Sequence, residues 1–327
     1  MSRKKKPDTV SGILIINKHA GVTSHRIVSA MRKLYDTPRV GHTGTLDPMA
    51  TGVLPILLGR AVKASEYVMA DEKEYEAGMK LGIATDTQDV TGEILSRSDA
   101  IPDESAVREA VASFVGEIEQ IPPMFSAVKV GGEKLVDVAR RGETVEREPR
   151  RVTVYSCEAE KLSDDEYRLR VVCSKGTYVR TLCDDIGKKL GCGAAMSSLV
   201  RIKSGPFRIE DAKTVEDIEK MTLAERIAAV TPVDGLFSDL PAVSPVPFLL
   251  KLFVCGAPVS QKKMKVSFPD GALIRVLKDG ALVGLGRARG EEGSRDAYIS
   301  SEKLFDLSLV PPEGSSERRR KSPPDTD

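Results

Sequence analysis

The sequence has little of several residues that whole classes of protein depend on. It contains no tryptophan, only three histidines and five cysteines, and no two cysteines are spaced as C-x-x-C. This odd number of cysteines argues against a disulfide framework and a cysteine zinc site, and it favours a reducing compartment. The longest apolar runs, such as residues 53–58, are far shorter than the roughly 20 residues of a membrane span. We therefore expect a cytoplasmic protein with no signal peptide and no membrane segment.

The chain also lacks a net charge, but its charges are unevenly placed. Lysine and arginine number 49 against 48 aspartates and glutamates, for a net charge of +1. The charge is −7 over residues 82–120, +7 over 168–208, −5 over 209–241 and +6 over 248–289. Two basic blocks separated by an acidic one suggest a surface that faces an anion. The alternative is that each block is an ordinary solvated face, and charge alone does not decide between them.

Length and hydrophobic periodicity predict two domains, of which the first is α+β. At about 150 residues per domain, 327 residues suggest two. Residues 12–17, 53–58, 74–81, 152–160 and 167–173 read as strands. A helix follows a cap at Thr23 or Ser24, and further helices are predicted at residues 103–115, 134–141, 177–190 and within 214–230. Because these elements show no βα repeat, we expect a mixed, mainly antiparallel central sheet with flanking helices.

The last third of the chain predicts a separate, smaller domain. Three prolines within residues 238–247 indicate a linker. Residues 273–277 and 282–288 read as strands joined by a turn that contains Asp-Gly, a strong hairpin signal. About 65 residues of this kind suit a small β-barrel. The expected organisation is a disordered basic tail at 1–10, a first domain at 11–240, a second at 241–310 and a disordered tail at 311–327.

The most unusual stretch is residues 39–52, RVGHTGTLDPMATG, which holds three glycines, three threonines, a histidine and an aspartate. Glycine lets the backbone approach a ligand closely. Asp47 precedes Pro48, which disfavours helical geometry at Asp47. Composition leaves two interpretations open: Asp47 is a catalytic carboxylate, or Asp-Pro starts a turn.

Cofactor motifs are missing from the sequence. His19, His25 and His42 lie in the first 42 residues without carboxylates or cysteines at ligand spacing, so we predict no metal site. His25 is expected on the surface of the first helix. The glycines of residues 284–290 miss the dinucleotide-binding spacing and lie between short strands, so we predict no nucleotide cofactor.

Residues 41–59, GHTGTLDPMATGVLPILLG, closely resemble the signature of the TruB family of tRNA pseudouridine synthases. Further blocks resemble the family in its own order along the chain. They are Asn17-Lys18 with residues 21–24 (GVTS), residues 72–86 (EKEYEAGMKLGIATD), 122–129 (PPMFSAVK), 173–182 (CSKGTYVRTL) and 199–207 (LVRIKSGPF). The resemblance covers roughly residues 12–210. It implies the pseudouridine synthase fold, with a PUA-type RNA-binding domain in the place of residues 241–310.

The resemblance also implies a reaction. The family converts uridine to pseudouridine at position 55 in the T loop of tRNA, breaking the N1–C1′ bond and rejoining the base through C5. No metal or cofactor is needed. Asp47 matches the aspartate that starts the reaction, either as a nucleophile or by stabilising the detached base. Arg180 matches the arginine that pairs with it; without the match, Arg180 reads as one more member of its basic block.

Five further residues match positions that hold the substrate or the loop. His42 would fill the space that the flipped base leaves in the RNA stack, and Tyr75 would stack on that base. Tyr178 and Leu199 match positions that line the uracil pocket. Lys18 matches a lysine that supports the signature loop. From the residues alone, Tyr75 reads as a half-buried strand residue, Tyr178 and Leu199 as core, and Lys18 as a surface lysine.

The chain departs from the family pattern at three positions. His19 stands where the family usually has proline, Phe125 where tyrosine is common, and Val136 where another aromatic residue often occurs. These departures put hydroxyl or aromatic roles at those positions in doubt. They leave Asp47, His42, Tyr75 and Arg180 untouched.

We expect a monomer that binds the T-arm of tRNA, with no membrane and no guide RNA. The RNA-facing surface would then lie on the basic blocks at residues 168–208 and 248–289. Two alternatives stay open. One is an enzyme of the same fold that depends on a guide RNA, and the other is an RNA chaperone that folds tRNA through the same flipping contacts.

Overall fold

The computed structural model describes residues 10–68 and 72–306. The chain divides into two compact units, Met1–Thr231 and Pro232–Asp327. The boundary expected between residues 240 and 241 lies within the second unit. The tails expected at 1–10 and 311–327 fall outside the described residues, apart from Val10. None of the helices in the described part is long and apolar enough to cross a membrane.

The first unit contains thirteen named strands and seven α-helices within the described residues. Its strands are β1 (Gly12–Lys18), β2 (Val40–His42), β3 (Thr51–Leu58), β4 (Glu72–Leu81), β5 (Ile83–Thr85), β6 (Ile94–Arg97), β7 (Gly116–Gln120), β8 (Lys129–Val130), β9 (Glu133–Lys134), β10 (Arg150–Lys161), β11 (Glu166–Ser174), β12 (Ala194–Ser204) and β13 (Phe207–Arg208). Its helices are α1 (Ser24–Leu34), α2 (Ser65–Val68), α3 (Glu104–Ala112), α4 (Leu135–Arg140), α5 (Val179–Leu190), α6 (Val215–Lys220) and α7 (Leu223–Ala228).

Nine of these strands form one sheet, in the order β1-β3-β12-β4-β11-β10-β7, with β2 added to β3 and β13 to β12. All neighbours in this sheet are antiparallel except β3 and β12, which are parallel. Helices α3 and α5 pack on the sheet through buried apolar residues such as Val107 and Ile186. The expected mixed, mainly antiparallel sheet with flanking helices is confirmed.

The sequence pattern missed β12, although this strand lies between β3 and β4 at the centre of the sheet. Its pairing with β4 shifts register twice, between Met196 and Ser198 and between Arg201 and Lys203. Each bulge adds a residue and breaks the alternation of apolar and polar positions that identifies a strand. A short strand was missed as well: β2 lies within the unusual stretch at residues 39–52, where no strand was predicted before residue 53.

The second unit is built around a five-stranded sheet. Its elements are β14 (Ala242–Val243), α8 (Pro247–Val254), β15 (Val259–Ser260), β16 (Leu273–Lys278), β17 (Ala281–Arg289) and β18 (Tyr298–Leu304). The sheet order is β14-β16-β17-β18-β15, and the expected hairpin joins β16 to β17. Its turn residues Asp279 and Gly280 have φ angles of +50° and +83°, as a type I′ turn requires.

The expected small β domain is confirmed, as an open, curled half-barrel that fits a PUA-like domain. Two details differ from the sequence reading. Residues 242–243 read as linker but pair with β16 as a parallel strand. Helix α8 was not predicted because its sequence, PFLLKLFV, is apolar almost all round and shows no 3.6-residue period.

Candidate active site

Asp47 lies in the loop between β2 and β3, at the end of the sheet where β3 meets β12. A glycine near the start of β3 allows this strand to lie very close to β12. A Cβ atom at Gly52 would lie 2.2 Å from the Arg201 carbonyl oxygen, and Gly52 has a φ of +101°. Only glycine fits such a position without strain. The Asp47 side chain is one-third exposed, so a ligand can reach its carboxylate.

The residues on either side of Asp47 are held by the segment that joins β1 to α1. The buried Ser24 hydroxyl accepts a hydrogen bond from the Leu46 N–H at 2.9 Å and donates one to the Leu46 carbonyl at 3.0 Å. The Pro48 carbonyl accepts from the Gly21 N–H at 2.8 Å and from Lys18 Nζ at 3.2 Å. The backbone that carries Asp47 is therefore fixed both before and after it.

Lys18 is fully buried, not a surface lysine as the residues alone suggested. Its ammonium donates to three carbonyls, those of His19, Val22 and Pro48, at 2.9–3.2 Å. Burial lowers the pKa of Lys18 to about 8; the Asp47 carboxylate opposes this shift and Arg201 adds to it. Lys18 therefore joins the end of β1 to the Asp47 loop and lies within electrostatic range of Asp47.

Arg180 lies at the start of α5, buried, with its guanidinium facing Asp47. Its Nε atom is 2.8 Å from Asp47 Oδ2. The N–H bond is not aligned for a hydrogen bond to that oxygen, and Nε has no other hydrogen-bond partner among the described residues. Nη1 donates to the Thr87 carbonyl at 2.9 Å and Nη2 to the Phe125 carbonyl at 3.0 Å. The two carbonyls orient the guanidinium so that its remaining edge faces the carboxylate of Asp47.

A second carboxylate, that of Asp89, lies next to the Asp47–Arg180 pair. Asp89 is buried, and its Oδ2 lies 3.8 Å from Arg180 Nη1. Its Oδ1 accepts hydrogen bonds from Thr87 Oγ1 at 2.9 Å and from the Thr91 N–H and hydroxyl. Sequence reasoning did not single out Asp89, because it reads as one more residue of the acidic block at 82–120.

Arg201 is another site residue that the sequence analysis did not single out. It is fully buried on β12, where Nε donates to the Val53 carbonyl at 2.7 Å and Nη2 to the Gly44 carbonyl at 3.1 Å. Its position within the block LVRIKSGPF was the one available signal. Arg201 lies opposite Tyr75 in the β12–β4 register. Burial raises the pKa of Tyr75, and the hydrogen bond with Arg201 opposes this rise. Arg201 therefore connects the Asp47 loop to β4.

The structure places the other candidate residues around this centre. Tyr75 is buried on β4, within electrostatic range of Asp47. His42 ends β2; burial, Arg201 and the exposed His25 all lower its pKa, and its Nδ1 has no hydrogen-bond partner in the described chain. Leu199 is buried on β12, two residues before Arg201. Tyr178 caps α5 and is partly exposed, with its backbone held by the Gln120 side-chain amide at 3.0 and 3.2 Å.

The basic block at residues 168–208 is only in part a solvent-facing surface. Arg180 and Arg201 are buried in the site and do not belong to such a surface. Four other members pair with carboxylates: Arg168 with Glu160, Arg170 with Glu76, Lys188 with Asp184 and Lys203 with Glu72.

No group of three or more His, Cys, Asp or Glu within residues 10–68 and 72–306 could hold a metal ion.

Comparisons with known proteins identify the family of the chain. Residues 32–179 match the model of the TruB family pseudouridylate synthase N-terminal domain, and residues 180–238 match that of the tRNA pseudouridylate synthase B C-terminal domain. The chain is 42% identical over 243 residues to tRNA pseudouridine synthase B of Francisella philomiragia, covering 74% of this chain and 80% of that protein. It is 40% identical over 281 residues to the protein of that name from Aromatoleum aromaticum, covering 86% and 90%.

Solved structures show a similar fold. A chain in the crystal structure of a Cbf5-Nop10-Gar1 complex is 27% identical with a TM-score of 0.65, covering 90% of this chain and 85% of that one. Together with the fold, the family models and the relatives define a pseudouridine synthase. The chain belongs to the TruB family of pseudouridylate synthases.

Proposed function

We propose that this enzyme isomerises uridine 55 in the T loop of tRNA to pseudouridine, with Asp47 as the initiating residue. The observation that carries the proposal is the contact between Asp47 and Arg180. A reachable carboxylate stands 2.8 Å from a buried guanidinium whose two terminal nitrogens are held by backbone carbonyls. The guanidinium pairs with and orients a carboxylate, which is a group that can attack or stabilise the substrate.

The reaction is an internal rearrangement. The bond between N1 of uracil and C1′ of ribose breaks, the base turns within the site, and C5 bonds to C1′. The proton on C5 then leaves to restore the aromatic ring, and N1 gains a proton. The reaction therefore involves no oxidation or reduction and consumes no water. Asp47 either bonds to C1′ as the N1–C1′ bond breaks and is released when C5 attacks C1′, or adds to the base and is released after C5 has joined C1′. Both routes need the same carboxylate.

The target base must leave its stack to reach Asp47, at a cost of a few kcal/mol. We infer that Tyr75 stacks on the flipped base, which contributes about 1–3 kcal/mol. Tyr178 and Leu199 form the walls of the uracil pocket. His42 fills the gap left in the RNA, and its lowered pKa keeps the ring neutral and suited to stacking. Lys18 positions the Asp47 loop and does not touch the substrate.

The second unit is proposed to bind RNA as a PUA-like domain. Residues 248–289 carry a charge of +6, which suits contacts with the phosphate backbone. Among first-unit residues of the other basic block, the exposed Lys175 and Arg208 are the candidates for phosphate contact, because Arg180 and Arg201 are buried. We also propose that the protein is a cytoplasmic monomer; the cysteine content suits a reducing compartment.

The experiment that tests the function is pseudouridine formation by the purified chain on a bare T-arm hairpin. The proposal expects pseudouridine at position 55, mapped by chemical probing, with no added protein or RNA. A need for partner proteins and a guide RNA would favour the guided enzyme instead. The same mapping on total tRNA from cells that lack the protein should show uridine at this position.

An RNA chaperone without catalysis is the second candidate. The complete Asp47–Arg180 arrangement favours catalysis, and tRNA folding can accompany it. Refolding of tRNA without any pseudouridine formation would favour the chaperone.

A further inference from the structure

Gln88 has a strained backbone and lies in the loop at residues 85–92, between two residues that contact Arg180. Gln88 has a φ of +64°, in the left-handed region that side chains other than glycine, asparagine and aspartate rarely adopt. Its neighbours are Thr87, whose carbonyl accepts from Arg180 Nη1, and Asp89, whose carboxylate lies 3.8 Å from the same nitrogen. Strain of this kind persists only where the surroundings enforce it.

The surroundings that enforce it are on the helix that carries Arg180. The Gln88 amide donates from Nε2 to Asp184 Oδ2 at 2.8 Å, and its Oε1 accepts from the Thr181 hydroxyl at 2.7 Å. Thr181 and Asp184 are buried and three residues apart on α5, so they lie on one face of the helix. Both hydrogen-bonding groups of the amide are thus used, and both partners belong to α5.

The backbone of Gln88 is fixed as well. Its N–H donates to the Thr85 carbonyl at 3.2 Å, and its carbonyl accepts from the Met196 N–H of β12 at 3.0 Å. The turn at residues 87–89 is therefore tied to β12 by its backbone and to α5 by one side chain. A glycine or asparagine would adopt the same φ more easily, but neither could reach both Thr181 and Asp184.

We propose that Gln88 is a positioning residue for the reaction: its amide fixes the 87–89 turn on α5, so that the Thr87 carbonyl holds the Arg180 guanidinium against Asp47. Gln88 acts through Arg180 and does not touch the substrate. The proposal rests on the proposed function. A loss of this brace lets the turn move, and displacement of a catalytic group by about 1 Å can cost about 100-fold in rate.

The test compares Gln88→Gly and Gln88→Met, measuring the single-turnover rate on the T-arm hairpin, the dissociation constant for tRNA and the melting temperature. Glycine removes both the amide and the strain, whereas methionine keeps the length and the strain but removes the amide. Both variants should be slower by about 10- to 100-fold with tRNA affinity within about twofold. Gln88→Gly should melt no lower than Gln88→Met, because its backbone is relaxed.

Two further variants make the result specific. Asp36→Gly relieves another left-handed backbone, at an exposed position with φ +46°, and should leave the rate unchanged. Gln88→Gly added to Arg180→Ala should give no further loss, because the two residues act in one chain of contacts. A wild-type rate in Gln88→Gly, or losses that multiply in the double variant, would overturn the proposal. Failure of the wild-type chain on the hairpin would instead count against the proposed function.

Discussion

The Ser24 hydroxyl satisfies both backbone groups of Leu46, accepting from its N–H at 2.9 Å and donating to its carbonyl at 3.0 Å. Ser24 is the first residue of α1, and Leu46 immediately precedes Asp47. One buried side chain, 22 positions away in the sequence, therefore determines where the backbone enters the catalytic loop.

We predict that Ser24→Ala lowers both turnover and stability. The variant leaves the buried N–H and carbonyl of Leu46 without their partner, which costs about 1–3 kcal/mol of unfolding free energy. The loop that carries Asp47 becomes less fixed, so the single-turnover rate should fall while tRNA affinity changes little. Chemical denaturation and rapid-quench kinetics measure the two effects.

The neighbouring residue provides a matched control. Thr23 caps α1 by accepting from the Arg26 N–H at 3.2 Å at an exposed position, and within the described residues its side chain makes no hydrogen bond to the Asp47 loop. Thr23→Ala should lose about 1 kcal/mol of stability, as for other caps, and keep its rate. An equal rate loss in both variants would show that helix stability matters here and the Leu46 contact does not.

Asp47→Asn should abolish pseudouridine formation and retain tRNA binding. Asparagine has nearly the shape of aspartate, so the loop and the RNA contacts survive, but a neutral amide is neither a nucleophile nor a stabilising anion. Filter binding and pseudouridine mapping on the same preparation test the two halves. Turnover at the wild-type rate in this variant would remove Asp47 from its assigned role.

Arg180→Ala should slow the reaction severely and also destabilise the first unit. The substitution leaves the carbonyls of Thr87 and Phe125 without their donors and removes the cation next to Asp47. Arg180→Lys should recover stability better than rate, because one ammonium does not reproduce the fixed fork of a guanidinium. An unchanged rate in Arg180→Ala would exclude Arg180 from the site.

Local patterns in the sequence were enough to predict the loop, the strand and the helix that surround this site. Asp47 before Pro48 in a loop rich in glycine, the alternating residues of β4 and the periodic α5 are local signals, each readable within about a dozen residues. They place a candidate carboxylate next to a sheet and a helix. The family resemblance added Arg180 and Lys18, whose burial no local pattern indicated.

The remaining residues escaped because their partners are far away in the sequence. Arg201 binds carbonyls 148 and 157 positions away, and Gln88 binds α5 residues 93 and 96 positions away. In the sequence alone, Arg201 is one of several charges in a basic block. Only the register of β12 with β3 and β4 shows that it is enclosed, and the bulges of β12 hide that register from sequence periodicity.

RNA binding should depend steeply on salt. A surface that neutralises six to ten phosphates loses about 10³- to 10⁵-fold in affinity between roughly 50 and 200 mM salt, through counterion release. Filter binding of tRNA over this range measures the slope. Charge reversal of the exposed Arg208 should reduce the slope, whereas the buried Arg201 should contribute nothing to it. A flat profile would contradict an electrostatic RNA surface.

Lys18 should give the enzyme opposite responses of activity and stability to alkaline pH. Its three carbonyl acceptors need three N–H donors, which only the ammonium supplies. Because the pKa of Lys18 is about 8, deprotonation above that pH removes one donor and loosens the Pro48 carbonyl next to Asp47, so the rate should fall.

The sign for stability is the reverse. Lys18 has a lower pKa in the folded protein than the ordinary 10.5, so between about pH 8 and 10.5 the unfolded chain binds more protons and unfolding becomes less favourable as pH rises. Lys18→Met lacks this titration. The unfolding free energy of the wild type relative to Lys18→Met should therefore rise over this window, measured by denaturation at matched pH. A constant difference would show that Lys18 keeps its ordinary pKa.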